Sequence, residues 1–200
     1  MNNFVQIALD VEDVKWAIDT AMSSIEKWSQ RDGYYNNRLA SHLTGKLGEL
    51  AMERYLLENR LKLDSHFRFS ERENLCDLVV KIKNYSQVRR LEVKTWSAAY
   101  WADLGRCIAV AQYPILKKKT DLIIWCVVEP VDLDALLKNP IGVTVSLAGW
   151  STVGEIRSAP IKRTGAGDMR KVENYQLEEG DLRPMQGCVE DMLASRSASM

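Results

Sequence analysis

The tetrapeptide Leu91-Glu92-Val93-Lys94 places an acid and an amine two residues apart in a segment whose composition predicts a β-strand. Alternate residues of a strand point to opposite faces, so Glu92 and Lys94 should share one face while Leu91 and Val93 face the core. Asp77 lies fifteen residues before Glu92, at the start of another apolar segment. A hairpin between the two segments would bring Asp77 beside Glu92.

Two carboxylates held a few ångströms apart repel each other, and proteins usually relieve that repulsion with a shared proton or a shared cation. A set of oxygen ligands favours magnesium or manganese, which retain several water molecules. A cation there would polarise a phosphoryl oxygen and supply a deprotonated water. Lys94 would orient that water or neutralise charge that develops on the phosphorus centre. The residue types therefore indicate hydrolysis of a phosphodiester.

The segments that carry these residues are short, rich in β-branched and aromatic residues, and separated by polar turns. We interpret three of them as consecutive strands, with the last two joined as a hairpin through a turn at residues 83–86. A fourth segment is uniformly apolar, which is typical of a strand covered on both faces. In chain order, the predicted strands are His66–Phe69, Leu75–Ile82, Val88–Thr95 and Leu122–Val128.

Two amphipathic helices are predicted before these strands. Apolar residues recur at helical spacing from Val14 to Trp28, and Asp32-Gly33 is expected to end this first helix. The second helix runs from about residue 37 to residue 60 and contains Gly45 and Gly48. Each glycine costs roughly 1 kcal/mol relative to alanine, so we expect close packing against a neighbour to compensate. The predicted buried stripe of this helix consists of Leu39, Leu43, Leu47, Leu50, Leu57 and Leu61.

The rest of the chain alternates between short strand and helix patterns, with no internal repeat and no linker long enough to divide it. The C-terminal residues are polar and are expected to be loose. In chain order, the predicted elements are a strand at Cys107–Ala111, a helical turn at Tyr113–Lys118, a helix at Asp132–Leu137, strands at Ile141–Leu147 and Lys171–Leu177, and a helix from about Pro184.

The order of these features resembles the PD-(D/E)XK, or restriction-endonuclease-like, nuclease superfamily. A helix with Glu49 in the segment Gly45-Lys46-Leu47-Gly48-Glu49 precedes a strand with Asp77 and a strand with Glu92-Val93-Lys94. The resemblance covers about residues 37–129, and Cys76 stands where the superfamily's eponymous proline would be. It implies an α/β fold with a restriction-endonuclease-like core, in which helices flank a mixed central sheet. This chain would add an N-terminal helix and a C-terminal extension.

The resemblance also implies roles for individual residues. Asp77, Glu92 and Lys94 would be catalytic, and Glu49, Asp77, Glu92 and Val93 would hold Mg²⁺ or Mn²⁺. The implied activity is that of a metal-dependent hydrolase that cleaves phosphodiester bonds, with DNA as the expected polymer. Residues 1–194 would then form a single nuclease-like domain, followed by a flexible tail over residues 195–200.

Less specific interpretations of the same residues stay open. Glu92 and Lys94 would be a simple salt bridge if their face of the strand were solvated. Glu49 would lie on the wet side of its helix beside Lys46 and Glu53. At the level of function, the alternative to an enzyme is a nuclease-like module that binds nucleic acid or a protein partner without catalysis. Formation of a homodimer is also left open.

Several basic residues are candidates for contacts with the substrate. The lysine run at residues 117–119 could hold phosphates, but a lysine run at the end of a helix is equally typical of a solvated terminus. Arg170 and Lys171 flank a glycine-containing loop at residues 164–167, which could also hold phosphates. Trp96 and Trp101 would stack on an unpaired base or belong to the core. The candidate substrate-binding residues are His42, Lys46, Lys117, Lys118, Lys119, Lys162 and Arg163.

Length and composition limit the class of protein. A chain of 200 residues with 46% hydrophobic and 27% charged residues is typical of one globular domain. Lysine plus arginine and aspartate plus glutamate both number 27, so nucleic acid would have to bind a local basic patch. The longest apolar run is too short to span a membrane. Four widely spaced cysteines predict reduced thiols rather than a zinc site, and together these features favour a cytoplasmic protein.

Overall fold

A computed structural model of the chain describes residues 4–28, 38–68, 75–82, 87–129, 132–165 and 170–194. The described strands are β1 (Val5–Leu9), β2 (Lys62–Ser65), β3 (Leu78–Ile82), β4 (Gln87–Ser97), β5 (Cys107–Ala109), β6 (Leu122–Val128), β7 (Val143–Thr152), β8 (Ile161–Thr164) and β9 (Val172–Gln176). The described helices are α1 (Val11–Trp28), α2 (Arg38–Glu58), α3 (Ala98–Leu104), α4 (Tyr113–Lys119), α5 (Leu133–Lys138), α6 (Val153–Ser158) and α7 (Gln186–Ala194).

The larger of two sheets has six strands in the order β1-β7-β6-β4-β3-β2. The β4/β6 pair is parallel, and the other described neighbours are antiparallel. Helix α2 packs on one face of this sheet, and α1 packs on α2. The fold is therefore α/β with a mixed central sheet flanked by helices, which confirms the predicted fold class at this level.

The position of β6 in the sheet explains why its sequence is uniformly apolar. All seven of its residues are buried, because the sheet is covered on both faces at this position. Alternate side chains enter two separate hydrophobic cores. Leu122, Ile124, Cys126 and Val128 belong to the core beneath α1 and α2, whereas Ile123, Trp125 and Val127 belong to a second core on the opposite face.

The smaller sheet has the strand order β5-β9-β8 and is antiparallel. Ile108 of β5 and Tyr175 of β9 pack in the second core against Trp125 of β6. The Trp125 indole N–H donates a hydrogen bond of 2.9 Å to the Ser151 hydroxyl, which satisfies its polar atom inside this core. The smaller sheet and the helices packed with it therefore cover one face of the larger sheet.

The predicted hairpin is confirmed. Strands β3 and β4 are antiparallel, with Leu78 opposite Leu91 and Ile82 opposite Gln87. Leu78 and Leu91 are both fully buried, so the register matches the hydrophobic pattern of the two strands. The turn at residues 83–86 lies outside the described residues.

Helix α2 follows the predicted leucine stripe only in its first half. Leu43, Leu47 and Leu50 are buried, but Leu57 is 57% exposed, contrary to the prediction. In the second half, the buried face rotates around the helix because α2 also packs there against the segment before α7. The Tyr55 hydroxyl donates to the carbonyl oxygen of Met185 at 2.9 Å, and Leu56 takes the buried position beside Leu57.

The predicted strand His66–Phe69 is wrong. The strand in this region is β2, which ends at Ser65, and residues 66–68 form a 3₁₀ turn. This turn lets the buried Phe67 ring pack edge-on against Trp16 of α1 at 5.7 Å between centroids. The Phe67 backbone N–H donates to the carbonyl oxygen of Asp77, which ties the turn to the start of β3.

Besides β2, four described helices and strands were not predicted from the sequence: β1, α3, α6 and β8. Two of them carry local signals. In β1, Ile7 and Leu9 are buried while the intervening residue is exposed, which is the alternation of a half-buried strand. Helix α6 begins with a capping box in which the side chains of Thr152 and Glu155 bond to each other's backbone N–H.

The other predicted elements of the C-terminal half are present with shifted ends. The strand predicted at Ile141–Leu147 extends as β7 to Thr152, and the last helix starts two residues after Pro184. The predicted end of the first helix at residues 32–33 and the predicted loose tail at residues 195–200 lie outside the described residues. Within the described ranges, no helix has both the length and the apolarity that crossing a bilayer requires.

The two glycines of α2 lie in different surroundings. A Cβ atom on Gly48 would lie 1.9 Å from the Thr95 hydroxyl oxygen and 2.9 Å from the Thr95 Cβ, so the helix approaches β4 closely only because residue 48 has no side chain. A Cβ atom on Gly45 would meet no other atom within 4 Å. Close packing therefore compensates for Gly48, as predicted, but not for Gly45.

Substitution of these glycines should change stability in opposite directions. Gly48→Ala should lower the free energy of unfolding by about 1–3 kcal/mol through overpacking against Thr95. Gly45→Ala should raise it by up to about 1 kcal/mol because alanine is the better helix former. Urea denaturation of both variants measures the two effects, and Thr95→Ala in the Gly48→Ala background should restore part of the loss. A loss of stability in Gly45→Ala would contradict this description of α2.

Candidate functional site

The site forms where β3 ends beside β4. Asp77 immediately precedes β3, and its backbone N–H donates to the carbonyl oxygen of Leu91 on β4 at 3.0 Å. Its side-chain Oδ2 accepts a hydrogen bond of 2.8 Å from the backbone N–H of Val93. The structure therefore places the Asp77 carboxylate directly beside Glu92.

Glu92 and Lys94 share one face of β4, as predicted. The Lys94 Nζ atom lies 2.8 Å from Glu92 Oε1, and the Lys119 Nζ atom lies 2.8 Å from Glu92 Oε2. Glu92 is only 6% exposed, so the interpretation as a salt bridge on a solvated face is wrong. Burial alone would raise the pKa of Glu92, but the two ammonium groups outweigh it and lower that pKa below its usual range.

Glu49 approaches the pair from α2. It is 9% exposed, so it does not lie on the solvent-exposed face of α2, and it forms an ion pair with Lys46 one turn earlier on the helix. Burial raises the pKa of Glu49 above its usual value; Lys46 opposes that shift, and the charge of Glu92 adds to it. Glu49 is therefore close enough to Glu92 for the two carboxylates to repel each other.

Asp77 differs from the other two acids in its partners. Among the residues that the structure describes, it forms no ion pair, and its hydrogen bond comes from a neutral backbone N–H. Burial and the charges of Glu92 and Glu49 raise its pKa well above the usual range of an aspartate. The Lys94 charge opposes only part of this rise, and a bound cation would relieve the remaining repulsion, because Asp77 forms no ion pair among the described residues.

The donor set fits a hydrated magnesium or manganese ion better than a fully protein-ligated one. No three His, Cys, Asp or Glu side chains within the described ranges form a group that could hold a metal ion by themselves. Mg²⁺ is usually held by one or two carboxylates together with water and substrate phosphates. Asp77 and Glu92 supply such a pair. The metal roles of Asp77, Glu92, Glu49 and the Val93 backbone remain predictions.

Lys119 occupies an unexpected position. It was grouped with Lys117 and Lys118 as a candidate phosphate contact, and those two side chains are exposed at the end of α4. Lys119 instead turns toward the carboxylates: it pairs with Glu92 and donates to the carbonyl oxygen of Leu75 at 3.3 Å. The lysine run was visible in the sequence, but the parallel pairing of β4 with β6 that brings α4 to the site was not.

The other predicted substrate contacts are spread over the molecule. His42 is half-buried on α2, two turns before Glu49. Lys46 lies next to the carboxylates through its pair with Glu49. Lys162 and Arg163 are exposed on β8 of the smaller sheet, where Lys162 pairs with Glu178 at 2.8 Å. The structure thus brings Lys46 to the carboxylates but places Lys162 and Arg163 on a separate element.

Trp96 at the end of β4 and Trp101 in α3 lie in different surroundings. Trp101 is buried in the second core and its indole N–H donates to Glu179, whereas Trp96 packs against that core and lines a cavity next to Lys94. The four cysteines are free thiols, as predicted, and burial raises the pKa of Cys76 to about 11. A raised pKa lowers the thiolate fraction of such a side chain and therefore its reactivity.

Comparisons with known proteins add no assignment. No protein-family model, no curated protein and no solved structure was found to match the chain. The interpretation of the site consequently depends on its own geometry.

Removal of the Asp77 charge should stabilise the metal-free protein. A carboxyl whose pKa is raised on folding costs stability when it is ionised, and the cost is full above the folded pKa and vanishes as the pH falls to the unfolded value near 4. Asp77→Asn should therefore raise the melting temperature by about 2 °C or more at pH 8 in EDTA, with a difference that shrinks toward pH 4.

Asp64→Asn is the matched control for this measurement. Asp64 pairs with Lys81 at 2.9 Å on the same sheet but is about half exposed, so its replacement should change the melting temperature little. A melting temperature of Asp77→Asn equal to or below that of the wild type at pH 8 would show that Asp77 is not under electrostatic strain.

Proposed function

We propose that the protein is a divalent-metal-dependent nuclease of the PD-(D/E)XK type that hydrolyses phosphodiester bonds in DNA. The observation that carries the proposal is the convergence of Asp77, Glu92 and Lys94 where β3 and β4 separate, with Glu49 buried close by. These residues are far apart in the sequence, apart from the Glu92/Lys94 pair. Their order along the chain and their residue types also match those of the superfamily.

Asp77 and Glu92 would hold the metal ion, with support from Glu49. A bound ion would polarise a phosphoryl oxygen and lower the pKa of a water molecule. Asp77 is fixed for this task by the Val93 N–H, which accounts for one of its oxygen atoms and holds the carboxylate against β4. Glu92 lies on strand β4 and Asp77 is hydrogen-bonded to the same strand, so both carboxylates are preorganised.

Lys94 would act on the substrate side of the site. The Lys94 side chain is 27% exposed, whereas the Glu92 side chain to which it bonds is almost fully buried. An amine in that position can orient the attacking water and stabilise negative charge on the phosphate as the transition state forms. The Glu92 contact would hold the Lys94 ammonium in position until substrate arrives.

Cleavage assays test the proposal directly. Purified protein should cleave at least one of plasmid, linear duplex, single-stranded or branched DNA in the presence of Mg²⁺ or Mn²⁺, and EDTA should abolish cleavage. Asp77→Ala and Lys94→Ala should each reduce the rate by at least about 100-fold, because each removes a group that acts on the reacting phosphate. An RNA substrate in the same assay determines which polymer is preferred.

The Asp64/Lys81 pair provides a matched control for these variants. It has the same chemistry and nearly the same separation, 2.9 Å, but lies on β2 and β3 away from the carboxylates. Asp64→Ala and Lys81→Ala should therefore retain activity. Cleavage that survives in Asp77→Ala, or an absence of cleavage on all substrates with both metals, would refute the enzymatic proposal.

A module without catalysis is the second candidate function, and one observation favours it. Lys46 pairs with Glu49, and Lys94 and Lys119 pair with Glu92, so two of the three carboxylates are neutralised by the protein itself. If these ion pairs are permanent, no metal ion would be needed and none would be held. The nuclease-like fold would then serve only to bind nucleic acid or another protein.

Calorimetric titration with Mg²⁺ and Mn²⁺ distinguishes the two candidates. The enzyme should bind metal, lose that binding in Glu92→Ala, and bind more tightly by severalfold in Lys119→Met, which removes the competing ammonium but keeps the length of the side chain. The module should bind no metal in any of these variants. Lys117→Met is the control for Lys119→Met, because Lys117 is exposed on the same helix.

A further inference from the structure

A cavity of about 190 Å³ lies between β4 of the larger sheet and the smaller sheet. Lys94 and Trp96 line it from β4, Asn174 lines it from β9, and Arg170 lines it from the segment that leads into β9. Lys94 also pairs with Glu92, so the cavity adjoins the carboxylates directly. Trp96, Asn174 and Arg170 have no part in the proposed chemistry at Asp77 and Glu92.

The size and lining of this cavity suit one flat heterocycle. An apolar cavity of ~150 Å³ accommodates one benzene ring, so 190 Å³ leaves room for a single ring system rather than a stacked pair. The Trp96 indole provides an aromatic surface. Asn174 is only 5% exposed, and its amide N–H groups donate to Thr164 and Val172, which fixes the amide and leaves its carbonyl oxygen as an acceptor.

An open groove of about 500 Å³ continues from the cavity along the smaller sheet. Arg163, Arg170 and Lys171 line it together with one acid, Glu173. Arg170 lines both spaces and therefore marks the point where they join. Three cations along a shallow groove are the usual means of holding successive phosphates, and they give a neutral chain a local basic surface.

We propose that the smaller sheet binds single-stranded nucleic acid, with one unpaired base in the cavity and the adjoining phosphates along the groove. The inference depends on the proposed nuclease function only in that the bound nucleotide would place a neighbouring phosphate next to Lys94. Binding to the smaller sheet itself requires neither a metal ion nor cleavage.

The dimensions favour an unpaired strand over a duplex. A base inside a duplex is stacked on both sides and paired, so it enters a one-ring cavity only after extrusion, which costs a few kcal/mol. A base in a single strand, a flap or a frayed end enters without that cost. The groove and cavity together would therefore select strands that are already unpaired.

Fluorescence anisotropy in EDTA tests the inference without any contribution from cleavage. A labelled 12-nucleotide strand should bind at least tenfold more tightly than a blunt duplex of the same sequence. Arg163→Ala combined with Arg170→Ala should weaken binding of the strand about tenfold and reduce the slope of log affinity against log salt by about one to two. Lys138→Ala removes an exposed cation at the end of α5 and should have no effect.

Substitutions of Trp96 separate stacking from charge. Trp96→Phe keeps an aromatic surface and should retain most of the affinity, whereas Trp96→Leu should lose it about tenfold without a change in the salt slope. Equal loss in both variants would show that Trp96 acts through packing of the core and would refute the placement of a base in the cavity.

The results of the binding and cleavage experiments distinguish this inference from the proposed function. Preferential, arginine-dependent binding of the strand with no metal-dependent cleavage would support the inference and refute the nuclease. Cleavage with duplex and strand bound equally, or with strand binding unchanged in the double arginine variant, would support the nuclease and refute the inference.

Discussion

The register between β3 and β4 is the constraint on which the rest of the site depends. Leu78 and Leu91 lie opposite each other in the core, and this pairing brings Asp77, which precedes Leu78, to the Val93 N–H that donates to its carboxylate. A slip of one residue would turn every side chain of β4 to the other face of the sheet, so Glu92 would enter the core in place of Leu91. The hydrophobic effect that builds the core thus also fixes the distance between the acids.

Lysines form ion pairs with two of the three carboxylates at the site, but not with the third among the described residues. Glu92 has two lysine partners and Glu49 has one, so among the described residues loss of Lys46 would leave the buried Glu49 without an ion-pair partner, at a cost of about 3–5 kcal/mol. Asp77 has only a neutral hydrogen-bond donor among the described residues, and its pKa is raised accordingly. A structural ion-pair network would not need this third acid. A site that takes up a cation would.

Local patterns in the sequence predicted the parts of the site that depend on neighbouring residues. Glu92 and Lys94 share a face because a strand has a period of two, and the spacing to Asp77 suits a hairpin. Lys119 was not predicted as a partner of Glu92, because its position depends on a parallel pairing between strands that are separated by two helices. Long-range pairings of this kind leave no local signal.

Helix α2 also shows that local sequence patterns do not predict features that depend on tertiary contacts. Its period predicted the burial of Leu43 and Leu47 correctly, but the exposure of Leu57 follows from tertiary contacts near α7 that no helical period records. Gly48 carried a usable signal, since a glycine inside a helix is unfavourable unless another element approaches it closely. The glycine indicated that a close neighbour exists; only the structure identifies Thr95 as that neighbour.

The smaller sheet and the helices beside it have a structural role that is independent of any role in binding. Without the smaller sheet and the helices beside it, Ile123, Trp125 and Val127 of β6 would face water on one side of the larger sheet. The apolar face of β6 therefore requires a cover, and the cover that the sequence provides places Arg170 beside the cavity that Lys94 lines. Because the same packing completes the core and assembles this basic edge, the carboxylates and the cations hold fixed positions relative to each other.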